Sequence, residues 1–461
     1  MLIKKLIHKG IILIIHCMVD NMNYFKKMKL RRFLILMFTI LLIFAVLNFI
    51  NLKNKLKKIT NVINLQSEEI QEAKHLKKDL LLYSELYIKN SLSDLPIESI
   101  KNNDSDNNIL QNKFKLNKGF YFGIHNIFPG SGYIDIYNDK LILLSSRGIL
   151  AYNNKNLTNS FKQIENNIDD FINEKQFIKD EWFSIKDLAI IDDKIFISYT
   201  EEFKPDCWNT SIIYSSFNLK KIKFKKFFSS KNCVNSSVNK TKNEQFNGHQ
   251  AGGRIRKIDN NNILFSVGEY RRWELAQNIN FINGKLLSIN LNNSEYKIIS
   301  MGHRNPEGIY FDQEENYIIE TEHGPNGGDE INLINLNNDL IPNYGWPIAS
   351  YGQHYFKKFD KFYPLVKNHK KKGFIEPIKF FDPSIGISEI VKIDKKKYIA
   401  SSMKDKSLYI FNLNKDNKIY KLKEIYIGER IRDLIFDDKK IYLFLENTAS
   451  IGVIPIEKLD I

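Results

Sequence analysis

The strongest constraint on the fold is a recurring pattern of a short β-rich run, a turn of Asn, Asp or Gly, and a second β-rich run. The pattern occurs six times after Gly119, and it is typical of β-hairpins. Six hairpins over residues 119–461 leave about 57 residues for each unit, enough for a four-stranded blade with its loops. We therefore predict an all-β, six-bladed β-propeller; the alternative is a β-sandwich, which so many equivalent hairpins disfavour. The hairpins read YIDIYNDKLILLSS, DLAIIDDKIFISYT, RIRKIDNNNILFSVG, EGIYFDQEENYIIET, EIVKIDKKKYIASS and RDLIFDDKKIYLFLE.

A long apolar segment lies near the N-terminus. Residues 33–50 read FLILMFTILLIFAVLNFI, eighteen residues without a charged side chain. At about 1.5 Å per residue, a helix of this length nearly spans a hydrocarbon core of about 30 Å. No small-x-small cleavage site follows before the charged stretch 51–58. We therefore predict one uncleaved transmembrane anchor rather than a cleaved signal peptide.

Basic residues on both sides of the anchor bear on its orientation. Five Lys and Arg residues lie within residues 26–32 and four lysines within residues 53–58. The positive-inside rule then places residues 1–32 in the cytoplasm, although the following lysines reduce the asymmetry. We expect a single-pass protein of the inner (cytoplasmic) membrane, with its globular part in the periplasm or extracytoplasmic space. MKLRRFLIL, from Met28, reads like the start of a signal anchor, so residues 1–27 are interpreted as a gene-start artefact; a native peptide from this stretch would refute that.

The region between the anchor and the hairpins contains two further segments. Residues 51–94 carry apolar positions at helical spacing, which predicts a helical stalk. A short coiled coil and a single solvated helix both fit, because regular heptads are not sustained. Residues 95–118, which include KNNDSDNNILQNK, are interpreted as a linker before the propeller at 119–461.

Cysteines and charge narrow the functional classes. Of three cysteines, Cys17 precedes the anchor, while Cys207 and Cys233 lie in the globular region. In an oxidising compartment these two could form a bridge, typically contributing ~2 to 4 kcal/mol; two buried thiols are the alternative. The net charge is +15, but Lys is scattered among Asn, Ile and Asp. No nucleic-acid-binding motif accompanies it, so we predict a solvated basic surface and no nucleic-acid partner.

Several glycine-rich loops carry polar residues that hairpins do not need. His249 lies in NGHQAGGR and could act as a general base, with Glu269 as a carboxylate that orients it. Arg430 and Arg432 are two residues apart, hence on one strand face, where paired guanidinium groups hold carboxylates. An exposed histidine and a solvated strand face are the corresponding ordinary alternatives. The loops are NGHQAGGR (247–254), GHRNPEG (302–308), EHGPNGGDEINLI (322–334), NYGWP (343–347) and GERIRDL (428–434).

The loop EHGPNGGDE has features of a calcium site. Its glycines and proline force tight turns that expose carbonyl groups, and Asp329 and Glu330 add hard oxygen ligands. A run of this kind is more often an ordinary loop, because it lacks the regular ligand spacing of an EF-hand. The residues alone therefore indicate a pocket that holds anions and a metal, but they do not specify a reaction.

HRNPEG, EHGPNGGDEINLI and NYGWPIASYG together closely resemble the soluble pyrroloquinoline quinone-dependent glucose and aldose sugar dehydrogenases, the glucose/sorbosone dehydrogenase family. The resemblance covers about residues 180–450 and includes GHQAGGR, GEYRRWELAQ, FFDPSIGIS, SSMKDKSLY and GERIRDL in the same order. It implies a six-bladed propeller with pyrroloquinoline quinone (PQQ) at one end of the central channel. The reaction would pass a hydride from C1 of an aldose sugar to the quinone, and electrons onward to an external acceptor, a quinone or a cytochrome.

The resemblance also implies roles for individual residues. His249 would take the proton from the sugar C1 hydroxyl, with Glu269 as its orienting partner, and Arg304 would stabilise negative charge on the reduced quinone oxygen. The remaining roles concern the bound groups. They are cofactor binding by Asn305, Lys404, Arg430 and Arg432, binding of the catalytic Ca²⁺ by the carbonyl groups of Gly324 and Pro325, and a second, structural Ca²⁺ at Asp329, Glu330 and Tyr344.

Two positions depart from the family pattern. Glu307 stands where Gln is usual, which would add negative charge beside an anionic cofactor, and Phe381 stands where Trp is usual, which would loosen the aromatic wall over the quinone. Two other functions remain open. One is a cofactor-free, membrane-tethered propeller that binds carbohydrate or protein. The other is a metal-dependent lactone hydrolase, which needs a carboxylate-rich metal centre in the channel.

Overall fold

The structure is a computed structural model in which the chain divides into two compact units, Met1–Leu76 and Lys77–Ile461. The gene-start hypothesis for residues 1–27 concerns positions outside the described residues. Those described are 30–100, 109–110, 112–121, 131–172, 185–236, 246–337, 340–355, 361 and 364–459.

One α-helix, α1 (Leu30–Ser91), contains both the predicted anchor and almost all of the predicted stalk. Its stretch Met37–Lys57 has a mean hydropathy of 1.7 and no buried residues. By length and composition, this stretch can cross a membrane. The last turns of α1 belong to the second unit, where Ile88 packs into the hydrophobic core.

The N-terminal half of the second unit consists of short strands joined by turns. Within the described residues these strands are β1 (Asp94–Pro96), β2 (Glu98–Ile100), β3 (Asn112–Lys115), β4 (Gly132–Tyr137), β5 (Lys140–Ser145), β6 (Leu150–Asn154), β7 (Ser160–Gln163), β8 (Glu165–Asn166), β9 (Ile185–Ile191), β10 (Lys194–Lys204), β11 (Cys207–Ser216), β12 (Lys221–Ile222), β13 (Lys225–Phe228) and β14 (Val234–Asn235).

The C-terminal half continues in the same way. Its strands are β15 (Gly252–Lys257), β16 (Asn262–Val267), β17 (Lys285–Asn290), β18 (Tyr296–Met301), β19 (Pro306–Asp312), β20 (Tyr317–Glu322), β21 (Asp329–Asn335), β22 (Lys379–Phe381), β23 (Ile387–Asp394), β24 (Lys397–Ser402), β25 (Ser407–Leu413), β26 (Ile419–Tyr426), β27 (Ile431–Asp437), β28 (Lys440–Leu445) and β29 (Ser450–Pro455).

Apart from β8 and β12, which pair with each other in parallel, the described strands form six antiparallel sheets of four or five strands each, which are the six blades of the predicted propeller. The innermost strands of successive blades are neighbours, and the last of them, β27, also neighbours the first, β4, so the ring is closed. From the channel outward the blades are β4-β5-β6-β7-β1, β9-β10-β11-β13, β15-β16-β17-β18, β19-β20-β21-β22, β23-β24-β25-β26 and β27-β28-β29-β3-β2.

Each predicted hairpin forms the two innermost strands of one blade. In β4 and β5, for example, Tyr137 pairs with Lys140 across the turn. The turns contain residues with positive φ, including Asn138 at 55° and Asp438 at 57°. Asn and Asp tolerate this left-handed conformation, which two-residue hairpin turns require. The hairpin prediction is therefore confirmed at all six places.

Closure of the ring uses residues predicted to form a linker. Strand β3 pairs with β29, so that Phe114 lies opposite Ile451, and β1 extends the first blade, with Leu95 opposite Phe161. The segment 95–118 thus contributes edge strands to two blades. Their pairing partners are distant in the sequence, so local pattern does not reveal them.

Apolar side chains fill the spaces between adjacent blades. One cluster joins Ile142 and Leu144 of the first blade to Ile195 and Ile197 of the second, all of them fully buried. The outer part of the second blade contains a disulfide between Cys207 and Cys233, with the two Cα atoms 5.4 Å apart. This separation is ordinary for a disulfide, and of the two alternatives for these cysteines the structure contains the bridge.

Candidate functional site

A cavity of about 250 Å³ lies at one end of the central channel. We call it the basic cavity, because six Lys and Arg side chains line it and Glu307 is its one acidic lining residue. Such a concentration of positive charge attracts polyanionic ligands. Most lining residues lie at or just before the first residues of the innermost strands. The full set of lining residues is Tyr133, Lys186, Asn247, His249, Gln250, Gly252, Arg254, Arg271, Arg304, Asn305, Glu307, His323, Tyr355, Met403, Arg430 and Arg432.

His249 is half-buried on a loop that enters this cavity. Its backbone N–H donates to the Asn247 side chain at 2.8 Å, and Gly252 N donates to Asn305 Oδ1 at 3.1 Å. Gly252 has a φ of +60°, and a Cβ there would lie 2.8 Å from Gly268 N. The glycine therefore permits the tight turn that presents the imidazole to the cavity.

Arg304 is 5% exposed and is fixed by several contacts. Its Nη1 donates to the carbonyl groups of His323 and Gly324 at 2.8 and 2.6 Å, and its guanidinium lies over the Trp346 ring, 5.5 Å from the centroid. A charge held by contacts of this kind is preorganised to stabilise an anion without rearrangement.

Glu269 is fully buried, and its contact to the cavity passes through Gln250. With the Gln250 amide oriented to satisfy both its ends, Nε2 donates to Glu269 Oε1, and Oε1 accepts from Arg304 Nη2 at 2.7 Å. The Glu269 backbone N–H also donates to the Arg304 carbonyl at 3.1 Å. The described contacts therefore connect Glu269 to Arg304, and its role towards His249 stays a prediction.

Arg430 and Arg432 share one carboxylate partner. The Nε atoms of Arg430 and Arg432 donate to the two oxygens of Glu446 at 3.0 and 2.7 Å. Burial alone would raise the pKa of Glu446, but the two guanidinium groups lower it below its ordinary value. A charged Glu446 thus orients both arginines, and both line the cavity.

Glu307 brings negative charge to this arginine pair. Its Oε1 accepts from Asn305 Nδ2 at 2.7 Å, and its Oε2 lies 3.5 Å from Arg432 Nη1. The side chains of Glu307 and Arg432 are 15% and 11% exposed, so solvent screens the pair only weakly.

A buried ionic network adjoins the cavity around Arg254, on the innermost strand β15. Its Nη1 lies 2.8 Å from Asp187 and 2.9 Å from Asp433, and its Nε lies 2.9 Å from Glu389. These acids belong to β9, β27 and β23, so one guanidinium links four innermost strands. Its Nε also donates to the Glu307 carbonyl at 2.6 Å.

The loop 322–334 has a carboxylate that holds its shape. Asp329 accepts hydrogen bonds from the backbone N–H groups of Gly324, Gly386 and Ile387. A Cβ on Gly324 would lie 2.1 Å from the Gly328 carbonyl oxygen, so only glycine fits there. The Gly324 carbonyl accepts from Arg304 and the Pro325 carbonyl from Ser384. Each carbonyl keeps a second lone pair, which fits the predicted role in calcium binding.

The family model for glucose / sorbosone dehydrogenase matches residues 192–452, more than half of the chain. The chain belongs to the glucose/sorbosone dehydrogenase family. Aldose sugar dehydrogenase YliI of Escherichia coli K12 is 28% identical over 211 residues, covering 41% of this chain and 54% of that protein. Quinoprotein glucose dehydrogenase B of Acinetobacter calcoaceticus is 40% identical over 80 residues, 15% of this chain and 16% of that protein. The chain thus spans about half the length of YliI and a smaller share of the Acinetobacter protein.

Solved structures of aldose sugar dehydrogenases share the fold. The soluble aldose sugar dehydrogenase from E. coli in the apo-form has a TM-score of 0.54 and 21% identity, covering 70% of this chain and 95% of that one. The PQQ-bound aldose sugar dehydrogenase from Streptomyces coelicolor has a TM-score of 0.52 and 15% identity, covering 70% and 93%. The fold and the family are therefore those that the loop motifs predict.

Two residues named from the family pattern lie apart from the cavity. Lys404 is exposed, donates from Nζ to the Ser384 carbonyl at 2.8 Å, and is not among the lining residues. Phe381 is 7% exposed and packs at 5.2 Å against Tyr409 in the core between the fourth and fifth blades. It does not line the basic cavity, and the effect predicted for Phe in place of Trp, a looser aromatic wall over the quinone, stays a prediction.

The second calcium set does not fit one ion through its side chains. Asp329 and Glu330 are consecutive residues of β21, and consecutive side chains of a strand point to opposite faces. The Tyr344 hydroxyl donates to the Leu333 carbonyl at 2.6 Å. Glu330 instead lies opposite Glu322 in the sheet and 3.7 Å from His369 Nε2.

The buried acidic residues beside Glu330 were not predicted from the sequence. Glu320 is fully buried, Glu322 is 4% exposed, and both lie close to His303. Burial, together with the neighbouring Glu322, raises the pKa of the Glu320 and Glu330 carboxyl groups well above the usual range. The alternation of Glu320 and Glu322 in ETEHG was the available signal, because it puts both on one strand face.

Proposed function

We propose that this chain is a membrane-anchored, extracytoplasmic dehydrogenase that depends on PQQ and calcium and oxidises the C1 hydroxyl of an aldose sugar. The family consists of sugar dehydrogenases, and the basic cavity supports the finer proposal. Its arginines, fixed by buried carboxylates, suit a cofactor with several carboxylates.

The chain's own residues divide the work. His249, on its glycine-flanked loop, takes the proton of the C1 hydroxyl, and Arg304 stabilises developing negative charge. Arg430, Arg432 and Asn305 hold the cofactor. Lys404 lies outside the cavity in this structure and would have to turn away from the Ser384 carbonyl to join them. PQQ, when bound, supplies the acceptor for the hydride that leaves C1. Calcium, when bound by the carbonyl groups of Gly324 and Pro325, supplies a positive charge beside it.

The proposed location rests on two features. The stretch Met37–Lys57 is long and apolar enough to be the anchor, and the bridge between Cys207 and Cys233 suits an oxidising compartment. An external acceptor, a membrane quinone or a cytochrome, would take the electrons onward.

The test uses the full chain in detergent, loaded with Ca²⁺ and PQQ, and follows dye reduction across a panel of aldoses. His249→Ala is expected to lose activity by a factor of about 10² to 10⁴ while its PQQ binding stays within twofold of the wild type. Chelation should also abolish dye reduction. If the wild-type chain binds no PQQ at micromolar concentration, the proposal fails and a cofactor-free binding module is favoured.

A further inference from the structure

Three buried side chains in and beside the fourth blade form what we call the His303 cluster: His303, Glu320 and Glu322. His303 and Glu320 are each 0% exposed, and Glu322 is 4% exposed. His303 Nδ1 lies 3.3 Å from Glu322 Oε2 and 3.7 Å from Glu320 Oε2. One potential ligand atom from each residue lies within 4.8 Å of the other two.

The acidic groups of this cluster are not balanced by basic residues. Glu330 pairs with Glu322 across the strands and adds a third buried carboxylate. In the described part of the chain, the ion-pair partners of these three carboxylates are histidines only. The buried acids around Arg254, by contrast, are paired with two arginines. Buried carboxylates without cationic partners are costly, so the cluster favours a bound cation.

Unpartnered polar atoms inside the cluster are an independent indication. Among the described residues, His303 Nδ1 and Glu320 Oε1 have no hydrogen-bond partner, although both residues are fully buried. The same holds for Oδ1 of Asn332, whose Nδ2 donates to Glu320 Oε2 at 3.0 Å. Native proteins pair nearly all buried polar atoms, so these three need a ligand.

The geometry matches a small coordination sphere. Ligand atoms about 2.1 Å from a tetrahedral metal ion are about 3.4 Å apart, close to the 3.3 and 3.7 Å in the cluster. His303 Nε2 lies 2.7 Å from Ser300 Oγ, and the ring stacks on Tyr344 at 4.9 Å. If Nε2 carries the proton in that bond, the lone pair of Nδ1 is directed to the metal.

We propose that the His303 cluster is a buried site for one divalent transition metal ion, Mn²⁺ or Zn²⁺, with His303, Glu320 and Glu322 as protein ligands. An imidazole nitrogen among carboxylates suits these ions, whereas Ca²⁺ takes oxygen ligands almost exclusively. The Arg304 backbone N–H donates to Glu322 Oε2 at 3.0 Å, so the ion would also fasten the loop that carries Arg304. The site needs neither quinone nor substrate.

The test is metal binding by the full chain in detergent, stripped with a chelator and then given Mn²⁺, Zn²⁺ or Ca²⁺ separately. We expect about one equivalent of Mn²⁺ or Zn²⁺ by mass spectrometry of the metal, and an increase of roughly 3 °C or more in the melting temperature. Bound Mn²⁺ should show ¹⁴N coupling in electron spin echo spectra, which reports an imidazole ligand and requires no variant.

Glu320→Gln separates metal binding from folding. Replacing one of three crowded, buried acidic groups should leave the chelator-treated variant at least as thermostable as the wild type, while its affinity for Mn²⁺ or Zn²⁺ falls at least tenfold. Glu315→Gln is the matched control, because Glu315 lies in the β19–β20 turn of the same blade and pairs at 2.9 Å with Lys396 of the fifth blade. Absence of stoichiometric binding, absence of ¹⁴N coupling, or stabilisation by Ca²⁺ alone would each overturn the assignment. None of these readouts uses dehydrogenase activity, so failure here leaves the proposed function untouched.

Discussion

Replacing Glu307 by Gln should make the chain bind PQQ more tightly. Glu307 Oε2 lies 3.5 Å from Arg432 Nη1, and the two side chains are 15% and 11% exposed. The carboxylate therefore competes with a cofactor carboxylate for this arginine. Gln keeps the oxygen that accepts from Asn305 Nδ2 and removes only the charge.

The magnitude follows from the charges. At an effective dielectric constant of about 20, two unit charges at this separation attract each other by about 5 kcal/mol. Solvation of the separated groups and the second partner of Arg432, Glu446, offset most of that attraction. A net change of about 1 to 2 kcal/mol remains, which corresponds to roughly 5- to 30-fold in Kd.

The assay is a titration of the full chain with PQQ at fixed Ca²⁺, followed by fluorescence or calorimetry. The wild type is compared with Glu307→Gln and with the control Glu315→Gln, whose carboxylate pairs with Lys396 outside the cavity. The gain should shrink as ionic strength rises, because salt screens the removed charge. Equal or weaker binding by Glu307→Gln would refute the competition argument.

Three further predictions concern stability, each measured by chemical denaturation. Cys207→Ser opens a loop with a sequence separation of 26 and should lower the free energy of unfolding by about 3 to 4 kcal/mol; a reducing agent should destabilise the wild type equally, and no effect would contradict the bridge. Arg254→Met leaves the buried Asp433 without its ion-pair partner and takes one of two arginines from Asp187 and Glu389. It should cost about 3 to 5 kcal/mol, with an unchanged midpoint as the contrary result. Burial raises the pKa of Asp135 from 3.8 to about 7, so between these values the native state binds more protons than the unfolded state. Its contribution to stability is then lost as pH rises through this window, and Asp135→Asn should flatten that slope; an unaltered slope would disprove it.

The blades were predictable because their signal is local. Alternating apolar residues and Asx turns define a hairpin within about fifteen residues, and tertiary contacts change little about it. The pairing of Phe114 with Ile451 has no such signal. It depends on ring closure, which brings together segments from the two ends of the propeller's sequence.

Which residues line the site could be predicted in part from the sequence. His249, Arg304 and Arg432 lie in loops or strand starts at the same end of the innermost strands, and so they line one cavity. Gln250 and Glu446 hold these residues through side-chain contacts, and contacts between side chains from different blades cannot be read from spacing. The second calcium set stays a prediction, with strand alternation directing the Asp329 and Glu330 side chains to opposite faces of the sheet.

The acidic residues in and around the cavity have two different effects: most position its cations, and one competes with a bound anion. The carboxylates of Asp187, Glu389 and Asp433 surround Arg254. Glu446 accepts from the Nε atoms of Arg430 and Arg432. These acids therefore position cations that line the cavity. Preorganised charges of this kind act without reorganisation when an anion binds. Glu307 differs from these acids because it lines the cavity itself. If the cavity binds a multiply charged anion as proposed, the Glu307 charge repels that ligand. The affinity of Glu307→Gln for PQQ, compared with that of the wild type, measures the strength of this repulsion.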